Sequence, residues 1–265
     1  MPAIQLSPGL NLHYLDENPS GVQPVLLLHG LGATGESWAM QIPALVEAGY
    51  RVIAPDARGF GRSTYPGCTS VAAMAEDMAG LLAALGVDAA HVVGISMGGT
   101  IALQLALDYG ARVQRLALAN TFARLRPDGP GGWFYFGLRL VLVHTLGLET
   151  QARAVVKRVF PQPEHEQLRA GLRAQIAQAD PRGYRAAMRA LARFNVEARL
   201  NEIRAPTLVI TGENDTTVDP NYQRVLAARI PGAQHVVIPA AGHGVIGDQP
   251  EAFNRVLFDF LGVTA

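Results

Sequence analysis

The chain has 265 residues, of which 49% are hydrophobic and 17% charged, and its 22 basic side chains balance 22 acidic ones. That apolar content suffices for one large core, and the neutral balance excludes the basic stripe or polybasic tract that nucleic acid or an anionic membrane surface requires. A single cysteine, Cys68, excludes an intramolecular disulfide and a cysteine-rich zinc site.

Taken in order, Ile4 to Leu6 and Leu10 to Leu15 alternate around Ser7-Pro8-Gly9, which predicts an antiparallel hairpin. The opening Met1-Pro2-Ala3-Ile4-Gln5 lacks the basic-then-apolar order of a signal peptide, so a cytoplasmic location is expected. Val25 to Leu28 is a continuous apolar run, as in a parallel strand buried on both faces, and leads into His29-Gly30-Leu31-Gly32. A helix is predicted over Ser37 to Ala48, then a strand over Arg51 to Ala54 that ends in Asp56-Ala57-Arg58-Gly59-Phe60-Gly61-Arg62-Ser63. Met74, Met78, Leu81, Leu82 and Leu85 share one face of a helix over Val71 to Leu85, which stops at Gly86.

A strand over His91 to Ile95 then meets a helix over Thr100 to Tyr109 through Ser96-Met97-Gly98-Gly99. With Gly94, Gly98 and Gly99 around it, Ser96 turns sharply, in an uncommon backbone geometry, at a strand's end and a helix's positive terminus. After the strand Val113 to Leu118 the rhythm changes. Residues 122–200 carry no strand signal, only Arg/Ala/Leu-rich helical stretches broken at Pro127–Gly132, Pro161-Gln162-Pro163 and Asp180-Pro181. The apolar run from Leu138 to Leu148 is interrupted by Arg139 and His144 and is too short to span a bilayer. The alternation resumes with a strand over Thr207 to Thr211, a helix after Pro220, a strand over His235 to Ile238 and a helix over Pro250 to Leu261. Short apolar strands alternating with amphipathic helices predict a doubly wound, mostly parallel α/β sheet.

In chain order, His-Gly-x-Gly, Asp-x-Arg-Gly-x-Gly-x-Ser, Gly-x-Ser-Met-Gly-Gly, Gly-x-x-Asp and Gly-His each stand where a strand ends. With these motifs the chain resembles the α/β-hydrolases along nearly its whole length. The resemblance implies an eight-stranded, mostly parallel sheet flanked by helices. Residues 1–121 and 201–265 are expected to form this core domain, and residues 122–200 an inserted helical lid.

It further implies a serine hydrolase: Ser96 as nucleophile, Asp215 as the orienting acid and His243 as base. The backbone N–H groups of Leu31 and Met97 are the expected oxyanion hole. Asp219 competes with Asp215, but it precedes Pro220 at a helix start, where an aspartate serves as N-cap. His29 is expected to brace the oxyanion loop. The Asp56 loop matches a family segment that is structural. Haloalkane dehalogenases and epoxide hydrolases of this fold carry aspartate where this chain has Ser96.

A carboxylesterase acting on small to medium acyl chains is therefore expected, without metal or cofactor. The aromatic cluster with Trp133 and Phe136, together with Arg124 and His144, is the expected pocket lining. Asn120-Thr121-Phe122-Ala123-Arg124 is also similar to 3-oxoadipate enol-lactonases, where Arg124 could pair with a substrate carboxylate. C–C bond hydrolases with the same triad, and a non-catalytic ligand-binding member, stay open. The expected partner is a small-molecule ester or lactone rather than nucleic acid or membrane, and monomer and homodimer are both allowed.

Overall fold

Period-two burial along the strands builds two core layers. In β3 (Gln23–Leu28), Val25 and Leu27 join one apolar cluster and Leu26 and Leu28 the other; in β5 (Ala90–Ile95), Val93 and Val92 divide the same way. Both strands are buried on two faces, as continuous apolar runs require. The structure, a computed structural model, describes residues 2–67, 69–125, 137–138, 141 and 147–262.

The remaining described strands are β1 (Ala3–Ser7), β2 (Leu10–Glu17), β4 (Tyr50–Pro55), β6 (Val113–Ala119), β7 (Thr207–Gly212) and β8 (Gln234–Ile238). They form an eight-stranded sheet in the order β1-β2-β4-β3-β5-β6-β7-β8. β1 and β2 pair antiparallel, β2 joins β4 antiparallel, and all later pairings are parallel. β5 sits between β3 and β6, where the winding of the sheet reverses, so the loops after these strands diverge and leave a crevice.

On one face, α1 (Ile42–Glu47) and the carboxyl-terminal Pro250–Leu261 helix bury Leu45, Phe253 and Leu257 around the fully buried Trp38. On the other, α2 (Val71–Ala84) and α3 (Met97–Asp108) bury Met74, Met78, Leu81, Ile101 and Leu105. Two predicted helices differ in extent. The helix expected from Ser37 to Ala48 is a 3₁₀ turn over Gly35–Trp38 followed by the short α1, because Pro43 lacks an N–H and suits only a helix's first turn. α3 starts at Met97, not Thr100, since the low intrinsic helix preference of Gly98 and Gly99 is overridden by close packing beneath them.

Between β6 and β7 lie α4 (Gly147–Val159), α5 (Glu166–Gln178) and α6 (Pro181–Arg193). Asp180 caps α6 by accepting from the N–H groups of Arg182 and Gly183, and its own N–H donates to the Gly59 carbonyl at 3.1 Å. Gly59 and Gly183 approach so closely that a Cβ on either would overlap the other. Ile176 of α5 and Tyr184 of α6, both fully buried, cover Gly32. The inserted helices are thereby fastened to the loops after β3 and β4. α7 (Pro220–Arg229) and α8 (Val245–Asp248) complete the described helices together with α9, the Pro250–Leu261 helix. No described helix is long and apolar enough to cross a membrane.

His91 on β5 is 4% exposed and meets Tyr50 edge-on, with ring centroids 6.0 Å apart. Burial, and then the charge of Arg115, lower its imidazole pKa from 6.5 to about 4. The unfolded chain therefore takes up this proton before the fold does, and the His91 contribution to stability falls as the pH drops from about 6.5 to about 4, then levels. Thermal melts across that window are expected to show a flatter pH dependence for His91→Gln than for wild type. Equal slopes contradict this assignment.

Candidate active site

The corner between β5 and α3 is closed on every side. A Cβ on Gly94 would overlap the Gly98 carbonyl, one on Gly98 the Leu28 carbonyl, and one on Gly99 the side chain of Thr121. The chain can turn there only through Ser96, which takes φ 55° and ψ −117°. Such a backbone costs a non-glycine residue about 1–3 kcal/mol and persists only where its surroundings over-determine it. Here they do: the Ser96 N–H donates to Ala119 O at 3.0 Å, and Ser96 O accepts from Thr100 N at 3.2 Å and from the Thr121 hydroxyl at 2.7 Å. The main chain of Ser96 is thus committed to the corner, and its side chain lines the cavity above the sheet.

The loops after β7 and β8 meet beside it. Asp215 Oδ1 accepts from the N–H groups of Thr217 at 2.7 Å and Val218 at 3.0 Å, while Oδ2 lies 2.8 Å from His243 Nδ1. A carboxylate that accepts on both oxygens leaves Nδ1 only the donor's role, so Nε2 is the basic nitrogen of the ring. Asp215 and His243 are 5% and 7% exposed, and water competes little for their bond. Asp219 instead accepts from Asn221 N at 2.8 Å as the N-cap of α7. Asn120, after β6, clamps the same loop. Its amide nitrogen donates to Gly242 O at 3.0 Å and His243 O at 2.9 Å, and its carbonyl oxygen accepts from Gly212 N at 2.8 Å. From the other side, Gly242 N–H donates to Asp248 Oδ2 at 2.7 Å; burial pushes this carboxyl up from its ordinary range.

After β3, the fully buried His29 accepts on Nε2 from Ala57 N at 2.9 Å, so its Nδ1–H donates to Gly30 O at 2.8 Å. Burial lowers its pKa, which keeps the ring neutral and the brace intact. Asp56 holds the same loop from beneath: Oδ1 accepts from Gly35 N at 2.8 Å, and Oδ2 accepts from Arg62 N at 3.0 Å and pairs with His13 at 2.9 Å. Leu31 lines the cavity beside Ser96. Met97 is the first residue of α3, where no earlier turn of the helix supplies an acceptor for its N–H.

A cavity of about 780 Å³ opens over Ser96, His243 and Asp215, and its roof carries Val155 of α4, Leu172 of α5 and Met188 of α6. Arg124, expected in this lining, is not there. Its backbone bridges to Asn195 and the Val196 N–H donates to Ala123 O at 2.9 Å, and along this segment Phe122 and Leu125 line the cavity while Arg124 does not. Arg124 is exposed and lines a separate hollow with Glu197 and Tyr222. Trp133, Phe136 and His144 lie outside the described residues. Among the described residues, Arg158 of α4 is the arginine at the cavity wall, its guanidinium donating to Thr216 O. No cluster of three or more potential metal ligands occurs among the described residues. Asn120 and Asp248 were not singled out for the site from sequence, since their partners are main-chain atoms that no side-chain motif announces. The polar pair Asn120-Thr121 directly ending the run of β6, part of the segment similar to enol-lactonases, is the signal the sequence offers for Asn120.

The family model for the alpha/beta hydrolase fold matches residues 23–250. The chain belongs to the α/β-hydrolase family. It is 36% identical over 246 residues to a Caulobacter sp. (strain K31) protein carrying the provisional name carbamate hydrolase RutD, covering 90% of each chain. It is 34% identical over 272 residues to a 2-hydroxy-6-oxo-6-phenylhexa-2,4-dienoate hydrolase of Burkholderia cepacia, covering 96% of this chain and 93% of that one. The crystal structure of the enol-lactonase from Burkholderia xenovorans LB400 superposes with a TM-score of 0.89 at 31% identity, covering 98% and 100%. These relatives are hydrolases, and a small-molecule substrate suits a cavity of this size.

Because the Leu28 carbonyl belongs to a strand, it cannot yield to a side chain. Gly98→Ala is expected to cost about 1–3 kcal/mol in urea melts, the range for an overpacked core. A melt superimposable on wild type contradicts this account of the corner.

Proposed function

We propose that this α/β-hydrolase cleaves carboxylic esters, open-chain or cyclic, through an acyl-enzyme formed on Ser96. The observation that carries the reading is the buried 2.8 Å Asp215–His243 pair opening into the same cavity as the strained Ser96. His243 Nε2 takes the hydroxyl proton as Ser96 Oγ attacks the carbonyl carbon, and Asp215 stabilises the imidazolium that forms. The N–H groups of Leu31 and Met97 are the donors to the developing oxyanion. The imidazolium then protonates the departing alkoxide, and a water activated by the same nitrogen releases the acid and restores Ser96.

In this reading, residues 1–121 and 201–265 are the catalytic core and 122–200 the cap that chooses the substrate. The apolar roof favours an alkyl or aryl acyl group. The likeness to the Burkholderia enol-lactonase supports the ester class, a lactone being an internal ester. The exposed Arg124 does not support recognition of a substrate carboxylate by that residue. The names of the other two relatives point to carbamate and C–C cleavage, for which the same serine, base and oxyanion donors would serve.

With p-nitrophenyl butyrate, Ser96→Ala is expected to abolish turnover, and Asp215→Asn to lower kcat by about 10³–10⁴ with the fold intact. Asp219→Asn, which keeps an N-cap, is expected to retain turnover of the wild-type order. The reverse result for the two aspartates would move the acid to Asp219. Across p-nitrophenyl esters of graded length, kcat/KM is expected to rise roughly fourfold per methylene while the chain fits the apolar roof, following about 0.8 kcal/mol per buried CH₂. A flat series, with faster release from a carbamate or a vinylogous diketone acid, would overturn the ester assignment.

A further inference from the structure

We infer that Asn120 is a positioning residue that sets the height of the His243 imidazole over Ser96. The inference rests on the triad reading above and adds to it a fourth side chain, from the strand between the nucleophile's and the acid's. Asn120 is fully buried and takes φ 44°, in the left-handed region that asparagine tolerates better than most residues. Its backbone N–H donates to Ile210 O at 3.0 Å, which extends the β6–β7 pairing by one residue and aims the side chain across the end of β7.

The orientation of the amide is settled by its partners. Gly242 O and His243 O can only accept, and Gly212 N–H can only donate, so Nδ2 faces the first two and Oδ1 the third. Both amide hydrogens are used. One side chain therefore ties the ends of β6 and β7 to the loop after β8, at distances of 2.8 to 3.0 Å.

The loop it ties is rich in glycine beside the imidazole. Gly242 and Gly244 flank His243, and the end of β7 comes so near that a Cβ on Gly212 would overlap the Gly242 carbonyl. Neighbouring bonds hold the loop at Ala241, through Asn214 N at 2.8 Å, and at Gly242 N, through Asp248 at 2.7 Å. Asn120 grips the carbonyl of His243 itself. Aspartate at 120 would set a carboxylate oxygen against two carbonyl oxygens. An aliphatic side chain would leave three buried main-chain groups without partners. Asparagine satisfies all three, and it touches no reacting atom: it acts through His243. A misplacement of about 1 Å in a group that moves the proton typically costs about 10² in rate.

The test compares wild type, Asn120→Gly, which keeps the left-handed backbone without the amide, and Asn120→Asp, which keeps the size and reverses one contact. Hydrolysis of p-nitrophenyl butyrate is expected to lose roughly 10–100-fold in kcat in both variants, with KM of the wild-type order. The His243 Nδ1–H proton resonance is expected to shift and to exchange faster with water than in wild type. A merely structural role would lower the melting temperature and leave kcat per folded molecule and that resonance unchanged, which would overturn the inference. Should Asn120→Gly be too unstable to assay, the resonance and kcat of Asn120→Asp decide alone. If wild type itself fails to turn over the ester, the ester reading falls. The proton resonance, read without substrate, still decides whether Asn120 positions His243.

Discussion

The fold's chemistry hangs on how close β3, β5 and α3 come at one corner. The Leu28 carbonyl occupies the volume that a Cβ on Gly98 would need, and the Gly98 carbonyl occupies that of Gly94. Packing of this kind is decided by backbone atoms, which cannot rotate away as side chains do. It leaves Ser96 a conformation it would not choose, and it offers the hydroxyl to the cavity rather than to the core. The strain is held by three hydrogen bonds from the main chain of one residue, two of them to β6 or the residues just after it and one within α3. Ligand placement follows from the same geometry: the winding of the sheet reverses at β5, so the crevice opens where the serine stands.

Around that corner, buried polar side chains serve mainly to satisfy loops. Asp56 and His29 stitch the segment after β3 to the segment after β4, and neither faces the reaction as an acid or base. His29 in particular is spent on two main-chain partners, and its neutral ring is what burial favours. Asp215 differs in which histidine it holds. Both carboxylates take a backbone N–H on Oδ1 and a histidine on Oδ2, but Asp56 pairs with His13, outside the cavity lining, and Asp215 with His243, within it. Two aspartates at strand ends thus have similar burial and different work, separated by whether a histidine at the cavity is within reach.

The helices between β6 and β7 are attached to the loops they pack against. Gly59 against Gly183, and Ile176 and Tyr184 over Gly32, join them to the loops after β4 and β3. Gln175 accepts from Thr34 N at 3.2 Å in the same region. The cavity these helices border has mostly apolar side chains on the helix side, Val155, Leu172 and Met188 among them, and Ser96, Asp215 and His243 on the sheet side.

The sheet, its mostly parallel order and the positions of Ser96, Asp215 and His243 at strand ends were legible in the sequence. Apolar runs bounded by glycine report local burial, and the carboxyl ends of parallel strands lie along one edge of the sheet whatever lies between them in sequence. Asp219 was readable for a similar reason, since an aspartate before Pro220 at a helix start is a local signal. Other features depended on a breaker inside a predicted helix, on packing, or on main-chain partners that no motif announces. Pro43 divided one predicted helix into two, and α3 began at glycines that propensity discounts, because the core beneath them has room for nothing larger. Arg124 lies outside the cavity lining while Phe122 and Leu125 lie within it, and its backbone bridges to Asn195, some seventy residues on. Asn120 and Asp248 gained their place from main-chain atoms of a loop more than a hundred residues beyond the first and six before the second. Side-chain motifs record what a residue can do. Which carbonyl it meets is decided only when the chain closes on itself, and here that closure sets the hold on His243.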